Sequence, residues 1–438
     1  MKIARAQNGL KGEIRVPGDK SISHRSIMFG SIAEGDTLVR GLLKSADCIS
    51  TMECFRKMGI EIEEGADEEG EYLLIHGKGF HGLSKPEETL YCGNSGTTAR
   101  LISGILSGQD FETVLTGDES LSRRPMKRVI EPLSSLGASI RSEKGDGRLP
   151  LIIDKGSLKG GSIEIKVASA QVKSAILLSG LYAEGETTVR EPALSRNHTE
   201  LMLTAFGADL TPGTKEDPLC SVRPGRTLKG LNINVPGDIS SAAYFMGAAL
   251  IVPGSEVCLR NVGINPTRDG ILRVFTEMGG NIEIENERYE SGEKTADLIV
   301  RYTPTLKGVN IGGDIIPTLI DEIPLIAVVA AAAEGETVIN DAAELKVKES
   351  DRISLTVEGL NAMGVAAYPK EDGMVIEGGK GLRHAVIDSG KDHRIAMSFS
   401  VAALASKDVK PVEIRDSACV GISYPDFYKD LDLLCRQG

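Results

Sequence analysis

The segment GLYAEGETTVRE, residues 180–191, contains the pattern that decides the fold of this chain. Small and apolar residues that suit a buried helix run into a tight turn at Gly185, and β-branched residues that suit a strand follow. The pattern recurs most clearly in SIAEGDTLVRG (31–41) and AAAAEGETVIND (330–341), and more weakly in SGILSGQDFETVLTG, GAALIVPGSEVCLRN and AALASKDVKPVEIRD. Such self-similarity indicates a fold assembled from one recurring unit.

A second pattern recurs at the same interval as the first. The turns lie 69 to 81 residues apart, at Gly35, Gly108, Gly185, Gly254, Gly335 and Lys407. After each of the first five comes a helix stopped by Gly and then an extended segment, in FRKMGIEI, LSSLGASI, LTAFGADL, FTEMGGNI and LNAMGVAA. The sixth helix, YKDLDLLCRQG, ends the chain at the corresponding glycine. Six units of two helices and several short strands predict an α/β or α+β fold.

The length of 438 residues predicts two domains, because single cores stop growing well below that size. Six units then imply three per domain. The boundary falls near LKGLNINVPGD, where the third unit ends, and we expect the N-terminal strand to pair with the second half. The predicted domains are therefore 16–232, with units one to three, and a discontinuous domain of 1–15 and 233–438, with units four to six.

Bulk properties exclude several classes of protein. The formal net charge of −12 repels phosphate backbones, so we expect no nucleic-acid partner. Seven cysteines without a CxxC pair or a zinc-like spacing indicate unpaired thiols in a reducing compartment. The N-terminus has no apolar leader and no stretch is long enough to span a membrane, which predicts a cytoplasmic protein.

Polar or small-residue loops precede six apolar helices: GDKSISHR, CGNSGTTAR, ASAQVKSA, GDISSAA, LIDEIPL and KDHRIAMS. A helix N-terminus presents unpaired N–H groups and partial positive charge, so several of them suit multiply anionic small molecules. The loop VPGDKSISHR (16–25) is written again as VPGDISSAA (235–243), where the cations Lys20 and Arg25 have no counterpart. We expect only the first copy to serve the ligand and the echo at Asp238 to serve the sheet and the hinge.

Several motifs allow two interpretations. CGNSGTTAR is either an anion loop or a plain capped turn, and SLSRRPMKR is either a solvated basic run or a site in which Pro125 holds Arg124 extended. In LKVKESDR, helical spacing predicts Lys348, Glu349 and Arg352 on one face, as an acid-base group beside cations or as exposed ion pairs.

The remaining polar candidates are equally open. Asp321 and Glu322 are either N-caps or buried carboxylates, and His198 and His393 are either structural or catalytic.

Eight segments occur together in the order VPGDKSISHR, GNSGTTAR, SRRP, SAQVKS, LSRNHTE, IDEIP, LKVKESDR and DHRIAMSF, and with them the chain closely resembles the enolpyruvyl-shikimate-phosphate synthase family. The resemblance implies two similar domains, each of three βαβαββ units, in the inside-out α/β barrel of the enolpyruvyl transferase fold, with a cleft between them. It implies transfer of the enolpyruvyl group of phosphoenolpyruvate to the 5-hydroxyl of shikimate 3-phosphate, with release of phosphate and without metal or redox cofactor.

The resemblance also assigns residues to the two substrates. Those for shikimate 3-phosphate are Ser21, Arg25, Ser169, Ala170, Gln171, Arg196 and Lys348. Those for phosphoenolpyruvate are Lys20, Gly96, Arg124, Gln171, Arg352 and Arg394. Glu349 is expected to protonate the enol carbon and Asp321 to serve the attacking hydroxyl, with Lys20 stabilising developing charge.

The chain departs from the family pattern in three places. Gly421, Ile422 and Ser423 stand where many members carry a lysine, His198 replaces a tyrosine, and Glu344 replaces an asparagine. Without that lysine, one contact to phosphoenolpyruvate is lost or comes from another residue.

Two rival functions remain for comparison. An enolpyruvyl transferase acting on UDP-N-acetylglucosamine is expected to carry a reactive cysteine loop and a Lys-Asn pair, whereas here Ser21 follows Lys20 and SRRPM lacks cysteine. A noncatalytic phospho-ligand binder would not need both Asp321 and Glu349. We further expect a monomer that glyphosate inhibits, because glyphosate resembles phosphoenolpyruvate and Gly96 leaves its pocket open.

Overall fold

The computed structural model describes all 438 residues, which divide into two compact units. The first unit comprises Gly18–Val235 and Tyr289–Glu293. The second unit comprises Met1–Pro17, Pro236–Arg288 and Lys294–Gly438. The second unit is therefore discontinuous in sequence.

Strands and short connections make up much of both units. The strands are β1 (Lys2–Ile3), β2 (Lys11–Ile14), β3 (Glu34–Arg40), β4 (Glu61–Asp67), β5 (Gly70–Lys78), β6 (Leu90–Tyr91), β7 (Thr113–Thr116), β8 (Ser139–Ser142), β9 (Leu151–Asp154), β10 (Gly161–Glu164), β11 (Thr187–Arg190), β12 (Asp209–Thr211), β13 (Leu219–Arg223), β14 (Asn232–Asn234), β15 (Glu256–Gly263), β16 (Asn281–Glu290), β17 (Glu293–Arg301), β18 (Asn310–Ile311), β19 (Glu336–Ile339), β20 (Ala366–Pro369), β21 (Met374–Glu377), β22 (Val386–Asp388) and β23 (Val412–Arg415).

The helices alternate with these strands. They are α1 (Lys20–Ile32), α2 (Ala46–Lys57), α3 (Gly96–Leu106), α4 (Glu119–Arg123), α5 (Lys127–Ser135), α6 (Ala170–Gly180), α7 (His198–Ala205), α8 (Ile239–Ile251), α9 (Gly270–Glu277), α10 (Ile316–Leu319), α11 (Ile323–Ala332), α12 (Arg352–Ala362), α13 (His393–Leu404) and α14 (Phe427–Gln437), with short 3-10 turns at Gly313–Ile315, Ala343–Val347 and Ser417–Ile422.

Each predicted repeat has a sheet of its own. In the first unit the strand orders are β14-β3-β5-β4, β6-β7-β9-β8 and β10-β11-β13-β12. In each sheet the first two strands are parallel, and the other pairs are antiparallel, as a βαβαββ unit requires. The first sheet is completed by β14, which comes after the third repeat.

The second unit repeats this arrangement. Its sheets have the orders β16-β17-β15-β2, β18-β19-β21-β20 and β1-β23-β22. Strand β2 pairs in parallel with β15, and β1 pairs antiparallel with β23, so the N-terminal segment completes two sheets of this unit. The prediction of six repeated units is thereby confirmed. Each has two longer helices, and the second and fifth repeats add the short helices α4 and α10.

The five glycines of the second pattern end helices as predicted. Each has φ between +83° and +100°, a region that glycine adopts without steric cost: Gly59, Gly137, Gly207, Gly279 and Gly364. The N–H one residue later donates to the carbonyl five residues before it, at 2.8 to 3.1 Å, as in Ile60 to Phe55 and Val365 to Leu360. These bonds form the Schellman motif, which satisfies the helix-end carbonyls and starts the return strand.

Small residues let the central helices pack closely. A Cβ placed on Gly104 of α3 would lie 2.3 Å from the carbonyl oxygen of Ala175 on α6, so only glycine permits this approach. Helix α11 is buried along nearly its whole length in the second core. No single helix is long and apolar enough to cross a membrane; one pair bent by 107°, 313–319 with 323–332, reaches that length and composition only when combined. All seven cysteines are unpaired.

Candidate functional site

Six helices begin where the polar loops predicted. In the first unit, α1, α3 and α6 are capped by the side chains of Asp19, Ser95 and Ser169, which accept from backbone N–H groups at 2.9, 3.1 and 3.5 Å. In the second unit, α8 and α13 are capped by Asp238 and Asp392, at 2.8 and 2.9 Å. Helix α11 is the sixth and has no side-chain cap bond.

The guanidinium of Arg25 is buried and held by neutral groups. Its Nε donates to Thr199 Oγ1 at 2.7 Å, its Nη1 to the Ser21 carbonyl at 2.9 Å, and its Nη2 to Ser174 Oγ at 3.0 Å. Burial lowers the pKa of Arg25 to about 10, and nearby Glu200 partly opposes this effect. Arg25 thus stays cationic at neutral pH without a direct carboxylate partner among these bonds, as an anion subsite requires.

Lys20, at the start of α1, forms an ion pair with Asp47 of α2. The Asp47 carbonyl accepts a bond from Thr98 of α3 at 3.5 Å. A chain of buried side chains runs alongside, in which the His24 ring contacts Thr51 Oγ1 and Thr51 Oγ1 contacts Thr98 Oγ1, each at 2.7 Å. Lys20 and the start of α3 are therefore joined through α2.

Gly96 lies between two guanidinium groups. A Cβ at this position would be 2.8 Å from Arg100 Nη1 and 3.7 Å from Arg124 Nη1. Arg100 Nη1 donates to Gln171 Oε1 at 2.5 Å, so α3 is tied to the start of α6. Arg124 has the extended conformation predicted before Pro125, with φ −76° and ψ 140°.

Arg124 lies at the surface, but hydrogen bonds hold its side chain in place, unlike a side chain in a solvated basic run. Its Nη2 donates to Asn94 Oδ1 at 2.8 Å, and Asn94 donates in turn to Asp118. The neighbouring Arg123 pairs with Glu119 and is 73% exposed, so it fits the solvated interpretation that Arg124 does not.

Ser169, Ala170 and Gln171 lie at the start of α6, and Arg196 lies in the loop before α7. Arg196 is close enough to Arg25 to contribute to the lowering of its pKa. The first unit thus brings together its predicted residues around the starts of α1, α3 and α6.

In the second unit, Arg352 is the centre of a carboxylate cluster. It is 1% exposed; its Nε donates to Asp392 Oδ2 at 2.8 Å, its Nη1 to Asp321 Oδ1 at 3.2 Å, and its Nη2 to Glu349 Oε2 at 2.5 Å and to Asp392 Oδ1 at 3.4 Å. These bonds use four of the five guanidinium N–H groups. One N–H group of Arg352 is therefore not used by these bonds.

Lys348 and Arg394 complete the predicted set of this unit. Lys348 Nζ is 3.8 Å from Asp321 Oδ1, and Arg394 Nη2 is 3.8 Å from Asp321 Oδ2. Arg394 Nη1 also donates to the Asp321 carbonyl at 3.3 Å. Asp321 is therefore surrounded by three cations.

One interpretation of this region was wrong, and another holds only in part. Residues 348–350 are not helical, because α12 begins only at Arg352 and is capped by Asp351; Glu349 reaches Arg352 from the preceding turn. Glu322 does occupy the N-cap position of α11, but its side chain makes no cap bond. Glu322 is instead buried, where it accepts a bond from Ser240.

The charges of this cluster follow from its mixture of burial and ion pairing. Burial raises the pKa of Glu349 and Asp392, but Arg352 outweighs it and holds both below their ordinary values of 4.5 and 3.8. Burial and nearby Arg394 lower the pKa of His393 to about 3. At neutral pH the cluster has ionised carboxylates and a neutral imidazole.

The second copy of the VPGD loop, and the positions at which the chain departs from the family pattern, mainly make structural contacts. Asp238 caps α8 and its N–H donates to Pro17 at 2.9 Å. His198 is buried against Glu293 at 2.7 Å, and Glu344 accepts from Lys348 at 3.2 Å. Ile422, where a lysine was expected, is 43% exposed.

Sequence reasoning missed several residues that hold this site. They are Asp47, Arg100, Lys173, Glu191, Glu200 and Asp392. Arg100, Lys173 and Asp392 lie inside or beside quoted motifs, so their position was a signal. Glu200 also ends the quoted motif LSRNHTE and Glu191 ends the segment GLYAEGETTVRE, whereas nothing in the sequence distinguishes Asp47 from other acids.

Comparisons with known proteins point to one family. The family model described as EPSP synthase (3-phosphoshikimate 1-carboxyvinyltransferase) matches residues 4–431. A 3-phosphoshikimate 1-carboxyvinyltransferase from Geobacter metallireducens is 52% identical over 428 residues, which cover 98% of this chain and 97% of the relative. Among solved structures, EPSP synthase from Acinetobacter baumannii has a TM-score of 0.90 at 47% identity, over 99% of this chain and 97% of that one. An enolpyruvyl transferase from Streptomyces tendae has a TM-score of 0.79 at 17% identity, over 99% and 96%, and shares the fold.

Proposed function

This chain belongs to the EPSP synthase family, and from that premise we propose that it transfers the enolpyruvyl group of phosphoenolpyruvate to the 5-hydroxyl of shikimate 3-phosphate, with release of phosphate. Identity of about half over nearly the full length supports this proposal, together with the fold expected from the resemblance. The observation that carries it is the cluster around Arg352, in which two carboxylates that suit proton transfer, Asp321 and Glu349, touch one buried guanidinium.

Shikimate 3-phosphate would bind chiefly to the first unit. Arg25 supplies a buried positive charge, and the starts of α1 and α6 supply backbone N–H groups that no helical carbonyl satisfies. The ligands that the resemblance assigns are Ser21, Arg25, Ser169, Ala170, Gln171, Arg196 and Lys348. Ala170 would act only through its backbone.

Phosphoenolpyruvate would bind mainly to cationic side chains. The proposed ligands are Lys20, Gly96, Arg124, Gln171, Arg352 and Arg394. Guanidinium groups suit a carboxylate or phosphate because they donate two parallel hydrogen bonds. The longer contacts of Arg394 to Asp321, at 3.8 Å between side chains, would yield to such a ligand more easily than the 2.5 Å contact of Arg352 to Glu349.

The chemistry needs a proton to reach the methylene carbon while the 5-hydroxyl oxygen attacks the neighbouring carbon. Loss of a proton from the resulting methyl group, with cleavage of the C–O bond to phosphate, then releases phosphate and restores the double bond. We assign Glu349 to the carbon and Asp321 to the hydroxyl, with Lys20 stabilising the developing charge. Arg352 keeps Glu349 ionised in the substrate-free chain. An anion bound at Arg352 would offset that effect and raise the Glu349 pKa, which would allow the carboxyl group to carry the proton.

Purified protein with phosphoenolpyruvate and shikimate 3-phosphate should release phosphate, and it should release none with UDP-N-acetylglucosamine. Release only with the UDP-sugar would identify the rival transferase. Binding of both anions without release would indicate a noncatalytic binder.

We also propose that the enzyme acts in the shikimate pathway as a cytoplasmic monomer and that glyphosate competes with phosphoenolpyruvate. Light scattering during gel filtration should give the monomer mass of 46.6 kDa. A mass twice as large, or an inhibition by glyphosate that excess phosphoenolpyruvate does not relieve, would reject the corresponding part.

A further inference from the structure

A buried charge cluster lies beneath the start of α6. Lys173 Nζ is 2.8 Å from Glu191 Oε2 and 2.7 Å from Glu200 Oε1, and none of the three side chains is more than 1% exposed. Burying three charges carries a large desolvation cost, so a cluster of this kind needs compensating contacts. The proposed reaction uses none of the three groups.

The carboxylate of Glu191 joins two segments of backbone. Its Oε1 accepts from the Ser169 N–H at 3.3 Å, and its Oε2 accepts from the Ser195 N–H at 3.2 Å. Lys173 Nζ strengthens the second connection by donating to the Ser195 carbonyl at 3.3 Å. Glu191 thus connects the N-cap of α6 to the loop before α7.

These two segments carry most of the proposed ligands of shikimate 3-phosphate. Ser169 is itself one of them and precedes Ala170 and Gln171, while Ser195 precedes Arg196. Lys20, Gly96 and Arg124, proposed for phosphoenolpyruvate, lie on other segments; Gln171, which is proposed for both substrates, lies on the α6 segment that Glu191 joins.

We propose that Glu191, held in place by Lys173, is a positioning residue for shikimate 3-phosphate. Resting on the proposed function, this inference deepens it: one carboxylate fixes the distance between the start of α6 and Arg196. Positioning of this kind lowers the cost of ordering the site when the substrate binds. Loss of this connection should weaken the binding of shikimate 3-phosphate and leave the binding of phosphoenolpyruvate nearly unchanged.

The substitution Glu191→Gln tests this directly. A glutamine side chain has one acceptor oxygen, so it cannot accept from both Ser169 and Ser195, and its NH2 group must face one of the two donors. It also leaves Lys173 paired with Glu200 alone, which balances the buried charge. We expect the Kd and KM for shikimate 3-phosphate to rise about tenfold, as for one buried bond lost. The KM for phosphoenolpyruvate and kcat should stay within about twofold.

Glu200→Gln is the matched control because it removes the same charge from the same cluster. It leaves both backbone bonds of Glu191 intact. Glu200 also lies near Arg25, and loss of its negative charge there should not weaken binding of an anion. Titration calorimetry should therefore give a Kd for shikimate 3-phosphate within about twofold of wild type, or a lower one. Equal weakening in both variants, or none in either, would overturn the positioning role.

Measurements on the wild-type protein distinguish a failure of this inference from a failure of the proposed function. If wild type neither binds shikimate 3-phosphate nor releases phosphate, the proposed function fails. If wild type is active and Glu191→Gln behaves like it, only the positioning role fails. Should Glu191→Gln not fold, amide exchange in wild type replaces it: shikimate 3-phosphate alone should slow exchange at residues 195 and 196. Unchanged exchange there would overturn the inference.

Discussion

Glu349→Gln separates the proton-transfer role of this residue from its ion pair with Arg352. The carboxylate contacts Arg352 Nη2 at 2.5 Å, and a glutamine oxygen can accept the same bond. The Glu349 side chain is 39% exposed, so losing its charge should cost the fold no more than about 1 kcal/mol. The substitution therefore removes the titratable group with little structural disturbance.

The expected loss is in kcat. A positioned general acid or base contributes about 10²- to 10⁴-fold, equivalent to roughly 3 to 5 kcal/mol of activation free energy. We expect kcat to fall by at least tenfold, and by about 100-fold if Glu349 alone handles the carbon-bound proton. The KM for shikimate 3-phosphate should change little, because Glu349 is not among its proposed ligands.

The amount of phosphate formed in a single turnover, measured after quenching, reports this step without a contribution from slow product release. Glu344→Gln is the matched control, because Glu344 contacts Lys348 at 3.2 Å but not Arg352. That variant should keep its kcat within about twofold. A Glu349→Gln enzyme with wild-type kcat, or an equal loss in Glu344→Gln, would refute the assignment of Glu349.

Three further outcomes are expected. Asp321→Asn should lower kcat at least about tenfold with folding intact, and an unchanged rate of phosphate release would reject its role at the hydroxyl. Gly96→Ala should raise the inhibition constant of glyphosate, because the added Cβ would lie 2.8 Å from Arg100 Nη1 and must displace it; inhibition that ignores the substitution would argue against that placement. Asp392 has a pKa below 3.8 in the fold, so its stabilising contribution is complete above the unfolded value and is lost as pH falls through the folded one. The free energy of unfolding from denaturant titrations should therefore fall in that acid range, and less so in Asp392→Asn; identical pH profiles would contradict this.

The predicted helix over LKVKESDR shows why local spacing was an incomplete guide to the site. The spacing placed Lys348, Glu349 and Arg352 together, and they do share one cluster. The cluster forms, however, because an irregular turn ends at the N-cap Asp351 and because α13 brings Asp392 against Arg352. The right residues were grouped for a partly wrong reason.

The sequence by itself determined the repeated units, the five glycine helix ends and the starts of six helices. These features depend on neighbouring residues, since capping bonds and positive φ angles are satisfied within a few positions. The family motifs likewise lie in short segments. Each of these properties can be read without knowing which helix packs against which.

Only the tertiary structure decided which charges pair with one another. Arg352 and Asp392 are 40 residues apart, and Lys173 meets Glu191 and Glu200 only because α6, β11 and α7 pack together. Burial then gives these pairs their effect on pKa and on backbone position, because charges removed from water need near and well-oriented partners. No local pattern records such a partner, and the packing of the core alone supplies it.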